Sequence, residues 1–203
     1  MIKYLIFIVG IALLSFSCGK PCKEVTYQFF MKEAFTPEKD SIHIGDTIYL
    51  ESVHATTFTD SLGGNNIQVN FSNSLLGSNL RVLQFPDTST SVIGAIPDFN
   101  ITALNGMPSG NDHIPSENRG FYYQEINSQY ILRLQFVALK KGIYSISLGN
   151  SIGVIKGGQD CEKASFEIVN SNVNNHLYFY ENWRPGYIIS SYERTHMYCF
   201  KVY

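Results

Sequence analysis

The sequence predicts an all-β domain built as a sandwich of two sheets. Three observations carry this. Apolar and polar residues alternate through several short runs, Gly, Pro, Asn and Asp cluster between those runs, and no apolar pattern at helical spacing lasts three turns. Several short strands separated by turn chemistry bury their apolar faces best by packing two sheets against each other. Charged residues make up 16% of the chain and the net charge is −2, so there is no basic footprint for nucleic acid or for an anionic membrane surface.

In chain order, Val25, Tyr27, Phe29 and Met31 alternate with Thr26, Gln28 and Phe30, the period-two signature of a half-buried strand. A turn over 36–40 follows. Two short alternating runs are then hinged at Gly45-Asp46, with Ile42 and Ile44 expected inward before the hinge and Ile48 and Leu50 after it. Asp46 itself suits a turn, where a short carboxylate can accept from nearby backbone. Further strands are expected at 67–71, 80–85, 130–139, 143–148 and 164–169. The stretch 86–119 holds Pro86, Pro97, Pro108 and Pro115 with Gly94, Gly106 and Gly110, and reads as a long irregular insertion of the kind that carries function. Near the C-terminus, Leu177 and Phe179 alternate with Tyr178 and Tyr180, and Asn182-Trp183-Arg184-Pro185-Gly186 reads as a turn, so a hairpin packed on the sandwich is expected. Ser190-Ser191-Tyr192-Glu193 fits a capping box at the start of a short helix.

The pattern Ile42-x-Ile44-Gly45-Asp46-Thr47-Ile48-x-Leu50 resembles the first strand passage of bacterial immunoglobulin-like domains. Leu139-Lys140-Lys141-Gly142-Ile143-Tyr144-Ser145-Ile146 resembles their E-to-F corner and F strand. The resemblance implies an immunoglobulin-like β-sandwich in which the Tyr144 hydroxyl bonds back to upstream backbone. Ile146 stands where the second cysteine of true immunoglobulin domains would be, so their inter-sheet disulfide is absent. On the same resemblance, residues after Val169 form an extension, 170–203, beyond the last expected strand.

At the N-terminus, Lys3 precedes an apolar run over 4–14 and small residues at Ser15 and Ser17, the layout of a signal peptide over 1–17. The run is too short for a bilayer crossing, which needs roughly 20 residues. Leu14-Ser15-Phe16-Ser17-Cys18-Gly19 resembles the lipobox of bacterial lipoproteins in the relaxed form of the Bacteroidetes type, with Ser15 in place of the usual leucine. That resemblance implies acylation of Cys18 with palmitate-type chains, cleavage before it, a short tether over 18–24, and one domain over 25–203. The alternative is an ordinary secretory signal with Cys18 a plain thiol. Residues 19–24 lack the acidic run that resembles a surface-display signal, so the expected place is the periplasmic face of the outer membrane, with surface display as the alternative.

With Cys18 lipidated, three of the four cysteines are left: Cys22, Cys161 and Cys199. In an oxidising compartment that is one disulfide and one spare thiol. Cys22 and Cys161 each open an expected strand and are the favoured pair, with Cys161–Cys199 second. Cys199, in a strand-like run, suits a small buried hydrophobe.

Catalytic signatures are absent from the sequence. His43, His54, His113, His176 and His196 show no close metal-ligand spacing and no Cys-x-x-Cys occurs, so neither a metal nor a cofactor is expected. Ser109, Asp112 and His113 are neighbours on one turn, and neighbours along a chain rarely form a triad. The 17 acidic residues nominate no glycosidase pair. The aromatic crowding of Tyr178, Phe179, Tyr180, Trp183, Tyr187, Tyr192 and Tyr198 is explained first by packing and second by a sugar-stacking surface of Trp183, Tyr180 and Tyr187. Asp40-Ser41-Ile42, Asp46-Thr47-Ile48 and Asp60-Ser61-Leu62 resemble the O-glycosylation acceptor of exported Bacteroidetes-type proteins, with Ser61 the favoured site. The expected role is a non-enzymatic envelope module that binds or assembles with an envelope protein or glycan. The alternatives are a glycan-binding module and a lipid-anchored hydrolase with its site in 86–119.

Overall fold

The strand alternation decides which side chains meet in the middle, and a computed structural model shows the result over residues 25–59, 68–110, 115–149, 151–155 and 162–203. Cys18, Cys22, Ser61, Asp112, His113 and Cys161 lie outside these described residues. The strands are β1 (Val25–Thr36), β2 (Ser41–Ile42), β3 (Thr47–Ala55), β4 (Thr57–Thr59), β5 (Gln68–Asn70), β6 (Gly77–Gln84), β7 (Ile93–Gly94) and β8 (Phe99–Asn105). They continue as β9 (Met107–Pro108), β10 (Asn118–Tyr122), β11 (Gln124–Ile126), β12 (Gln129–Ala138), β13 (Gly142–Leu148), β14 (Ser151–Ile155), β15 (Glu162–Asn170) and β16 (Tyr198–Val202). One sheet runs β11–β12–β3–β1–β15–β14, with β8 beside β11 along the free side of β12. The other runs β2–β16–β13–β6–β10–β9, with β7 also on β6, and β4 and β5 form a separate hairpin.

The chain is thus an all-β, immunoglobulin-like sandwich. Phe29, Met31 and Phe35 from β1, Ile48 and Leu50 from β3, Leu132, Leu134 and Phe136 from β12 face Leu80 and Val82 from β6, Tyr144, Ile146 and Leu148 from β13, and Tyr198, Phe200 and Val202 from β16. Aromatic rings cluster within it: Phe29, Phe58, Phe71 and Phe166 meet at centroid separations of 4.9–6.0 Å, tilted or edge-on, arrangements that their ring quadrupoles favour. At the crossing from β12 to β13 the Tyr144 hydroxyl reaches back to the carbonyls of Lys140 and Lys141 at 3.1 and 3.3 Å and to Asp98 Oδ2 at 3.0 Å, the corner that the sequence resemblance implies.

Three expectations need correction. Ile42 is buried but Ile44 is 49% exposed, because the strand ends at Ile42 and a turn begins. His43 N donates to Asp46 Oδ2 at 2.9 Å, and Gly45 adopts φ 89°, a conformation a side chain would strain. The stretch 86–119 is not mainly irregular: it supplies β7, a 3-10 turn at Ile96–Asp98, β8, β9 and the start of β10. Pro86, Gly106, Gly110 and Pro115 sit at the joints, while Gly94, Pro97 and Pro108 lie inside these short elements. Last, the C-terminal segment is no hairpin. It forms helix α1 (Tyr178–Trp183) and helix α2 (Ser191–His196), and then β16, which is an integral strand between β2 and β13.

The strand β1 runs parallel to β15, from Val25 opposite Glu162 to Glu33 opposite Asn170. Where β15 ends, Asn172 continues the ladder: its Oδ1 accepts from Phe35 N at 2.7 Å and its Nδ2 donates to Phe35 O at 2.8 Å. From there residues 171–197 leave the first sheet, cross to the outer face of the second, and cap it.

Candidate functional site

The cap is a second small core laid on the outer side of β6, β13 and β16. Period two sends Leu80 and Val82 inward and leaves Asn79, Arg81 and Leu83 outward. On β16 it sends Cys199 away from the main core. Phe85, Tyr180, Ile189 and Cys199 pack together there, against Val92, Ile143, Leu177, Phe179, Trp183 and Met197. The Cys199 thiol is free and buried, and burial pushes its pKa far up, the inert state expected of a cysteine used as a small hydrophobe. The capping box holds α2: Glu193 N donates to Ser190 Oγ at 3.2 Å and Ser190 N donates to Glu193 Oε2 at 2.8 Å. Arg194 lies in its last turn, where the helix dipole favours a cation.

Between this cap and the sheet lies a cleft of about 500 Å³, within the roughly 300–1,000 Å³ usual for small-molecule sites. Its floor is Asn79 and Arg81 of β6, Asn118 of β10, and Ser145 and Ser147 of β13. Its walls are Tyr180, Trp183, Tyr187 and Tyr192 from the cap, and Thr90 and Ser91 from the insertion. Arg81 sets both Nε and Nη2 on Glu117 Oε1, at 2.6 and 2.5 Å. Burial alone would raise the Glu193 carboxyl, but hydrogen bonds from Ser190, Tyr180 and Tyr187 outweigh it and hold the group below its usual range.

The three aromatics nominated from sequence do come together, with Tyr180 5.7 Å from Trp183 and 5.6 Å from Tyr187. Their ring faces are largely spoken for. Trp183 stacks on Phe85 at 5.0 Å and its indole N–H donates to Pro86 O at 2.9 Å and Ser89 O at 3.0 Å. Tyr180 is buried, and the Arg184 guanidinium lies 4.5 Å over the Tyr187 ring. Tyr192, which the sequence offers only as one of seven crowded aromatics, has a different setting. The residue is 50% exposed and its ring stacks on the His196 imidazole at a centroid separation of 3.7 Å. Spacing of four residues on a helix put the two on one face, and that was the signal available.

His196 Nδ1 lies 2.7 Å from the Tyr192 carbonyl, which can only accept, so the ring proton sits on Nδ1. Its Nε2 is buried without a hydrogen-bond partner, 3.8 Å from Glu167 Oε1. That geometry joins the imidazole to no serine in the cleft. A Ser–His contact exists elsewhere, Ser52 Oγ to His54 Nε2 at 3.1 Å, but Ser52 is buried and its hydroxyl donates to Lys32 O. The pair serves to tie β3 to the backbone of β1. Among the described residues no group of three His, Cys, Asp or Glu is placed to hold a metal ion, and no helix is long and apolar enough to cross a membrane. Of the two described acceptor hydroxyls, Ser41 Oγ donates to Asp40 Oδ1 at 2.9 Å, and Thr47 is half-buried at the start of β3.

No family model matches the chain, and no curated protein matches it. Among solved structures, a chain of a type I cohesin–dockerin complex from Clostridium thermocellum is similar over 71% of this chain and 99% of that one, with 10% identity and a TM-score of 0.27.

Proposed function

We propose that this protein is a non-catalytic binding module of a bacterial cell envelope, tethered by lipid at Cys18, and that it takes its ligand in the cleft between cap and sheet. The cleft carries the reading. Hydrogen-bonding side chains from three strands converge with aromatic rings in one concavity of ligand size, and none of them is paired as a nucleophile with a base. The lipid tether rests on the lipobox resemblance. Cys18 precedes Val25 by seven residues, so a lipidated chain would hold the domain within about 25 Å of the bilayer at roughly 3.5 Å per residue. Two or three acyl chains would make that attachment lasting.

The test uses the full chain and a variant with the cleft filled, Ser147→Trp, presented to fractionated envelope material from the native host. Retention of the parent chain by one fraction, lost in Ser147→Trp with the fold intact by circular dichroism, is the expected result. Equal retention of both, or of neither, overturns the cleft as the ligand site.

A further inference from the structure

The chemistry of the cleft narrows the ligand. We propose that it binds a short neutral saccharide, with one pyranose ring stacked on Tyr192 and its hydroxyls held by Asn79, Asn118, Ser147 and Arg81. This rests on the cleft being the ligand site.

Tyr192 is the platform. An aromatic face is the negative side of the ring quadrupole and attracts the C–H-bearing face of a sugar. Such a face works best when it is rigid and open on one side only. Stacking on buried His196 at 3.7 Å fixes the ring, and the residue, 50% exposed, keeps surface for a partner. Trp183, the obvious candidate by residue type, is committed to Phe85 and to the carbonyls of Pro86 and Ser89.

The floor selects for a polyol. Carboxamides and hydroxyls both donate and accept, as vicinal sugar hydroxyls do, and Arg81, held through Nε and Nη2 by Glu117, keeps its other guanidinium N–H groups to donate. The charges of the lining offset one another: Arg81 is paired with Glu117, and Arg184, which lies over Tyr187, is matched in number by Glu193, which accepts from Ser190, Tyr180 and Tyr187. An anionic ligand would meet a lining of no net charge. An apolar ligand would strand the floor amides without water, at a cost of order 1–3 kcal/mol each. Addition of a peptide strand to β6 is blocked as well, since β6 is paired with β10 and β7 on one side and with β13 on the other.

The test is calorimetric titration of the full chain in detergent with neutral hexasaccharides (glucan, mannan, xylan and chitin types), with hexagalacturonate as the acidic control. At least one neutral oligosaccharide is expected to bind, hexagalacturonate not to. Tyr192→Ala should weaken binding at least tenfold and Asn118→Ala severalfold, while Tyr192→Phe, which keeps the ring, should bind as the parent does. If Ser147→Trp loses retention by an envelope fraction yet no neutral saccharide binds the parent chain, the saccharide assignment is wrong and the cleft survives. If a saccharide binds equally well to Ser147→Trp and Tyr192→Ala, both the assignment and the cleft are wrong.

Discussion

Trp183 donates its indole N–H to the carbonyl of Pro86 at 2.9 Å while its ring lies on Phe85. The contact joins α1, near the end of the chain, to the loop that leaves β6. It makes Trp183 the clasp of the cap. Trp183→Phe should keep the stack and lose the hydrogen bonds, costing about 1 kcal/mol. Trp183→Ala removes both and should cost about 3 kcal/mol, the low end for truncating a large aromatic. Urea unfolding followed by circular dichroism measures each, and two variants as stable as the parent would show that the cap is held elsewhere.

Tyr144 ties the corner. Its hydroxyl meets Asp98 and the carbonyls of Lys140 and Lys141, and burial beside Asp98 pushes its pKa well up, so it stays a neutral donor. Tyr144→Phe should lower stability by about 1–3 kcal/mol, because Asp98 Oδ2 loses its donor. A change within error would remove the corner from the account of the fold.

Glu33 gives the domain a pH dependence. Its carboxyl is fully buried between the sheets, where desolvation raises its pKa well above 4.5 against the opposing hydrogen bond from Leu148 N–H at 3.2 Å. A carboxyl raised in the folded state favours folding fully only below its unfolded pKa. As pH rises from about 4.5 toward the raised value, stability is lost at up to about 1.4 kcal/mol per pH unit. Glu33→Gln keeps an acceptor for Leu148 and cannot ionise. Thermal melts between pH 4 and 8 should show the variant gaining on the parent as pH rises; parallel curves would contradict the burial.

The thiols divide in the same physical terms. Cys199 is free and buried, so a thiol reagent should leave it untouched until the protein is unfolded. Cys22 and Cys161 lie outside the described residues, three residues before Val25 and one before Glu162, the pair at which parallel β1 and β15 begin. A bridge between them is the expected disulfide, worth roughly 4–5 kcal/mol in the chain-entropy model for so long a loop. Peptide mapping without reduction should find it, and a Cys22 or Cys161 peptide that alkylates freely would rule it out.

Much of the sandwich was legible because a strand buried on one face must alternate. Val25 to Met31, the Ile48–Leu50 pair, and the strands near 80, 130 and 143 all followed from that rule. The Tyr144 corner and the Ser190 capping box were legible because each is a local motif whose donors and acceptors lie within a few residues. β8 was missed although Phe99, Ile101 and Ala103 alternate, because the surrounding prolines and glycines suggested an irregular run where they mark joints such as Gly106 or lie within very short elements such as Gly94 and Pro108. The cap was misread for a different reason. Its apolar residues face a sheet surface far away in sequence, and helices of six residues are too short to show a period. Tyr192 lay hidden in that segment, since only the ring of His196 behind it distinguishes it from its aromatic neighbours.

On the proposed function, ligand enters between cap and sheet. Trp183 is the sole tryptophan and lines that cleft, so its fluorescence reports on occupancy directly. Titrating the full chain with envelope glycan from the native host should give a saturable change in Trp183 emission, absent in Ser147→Trp once the added tryptophan's own signal is subtracted. Saturable binding that leaves Trp183 emission unchanged and persists in Ser147→Trp would contradict it.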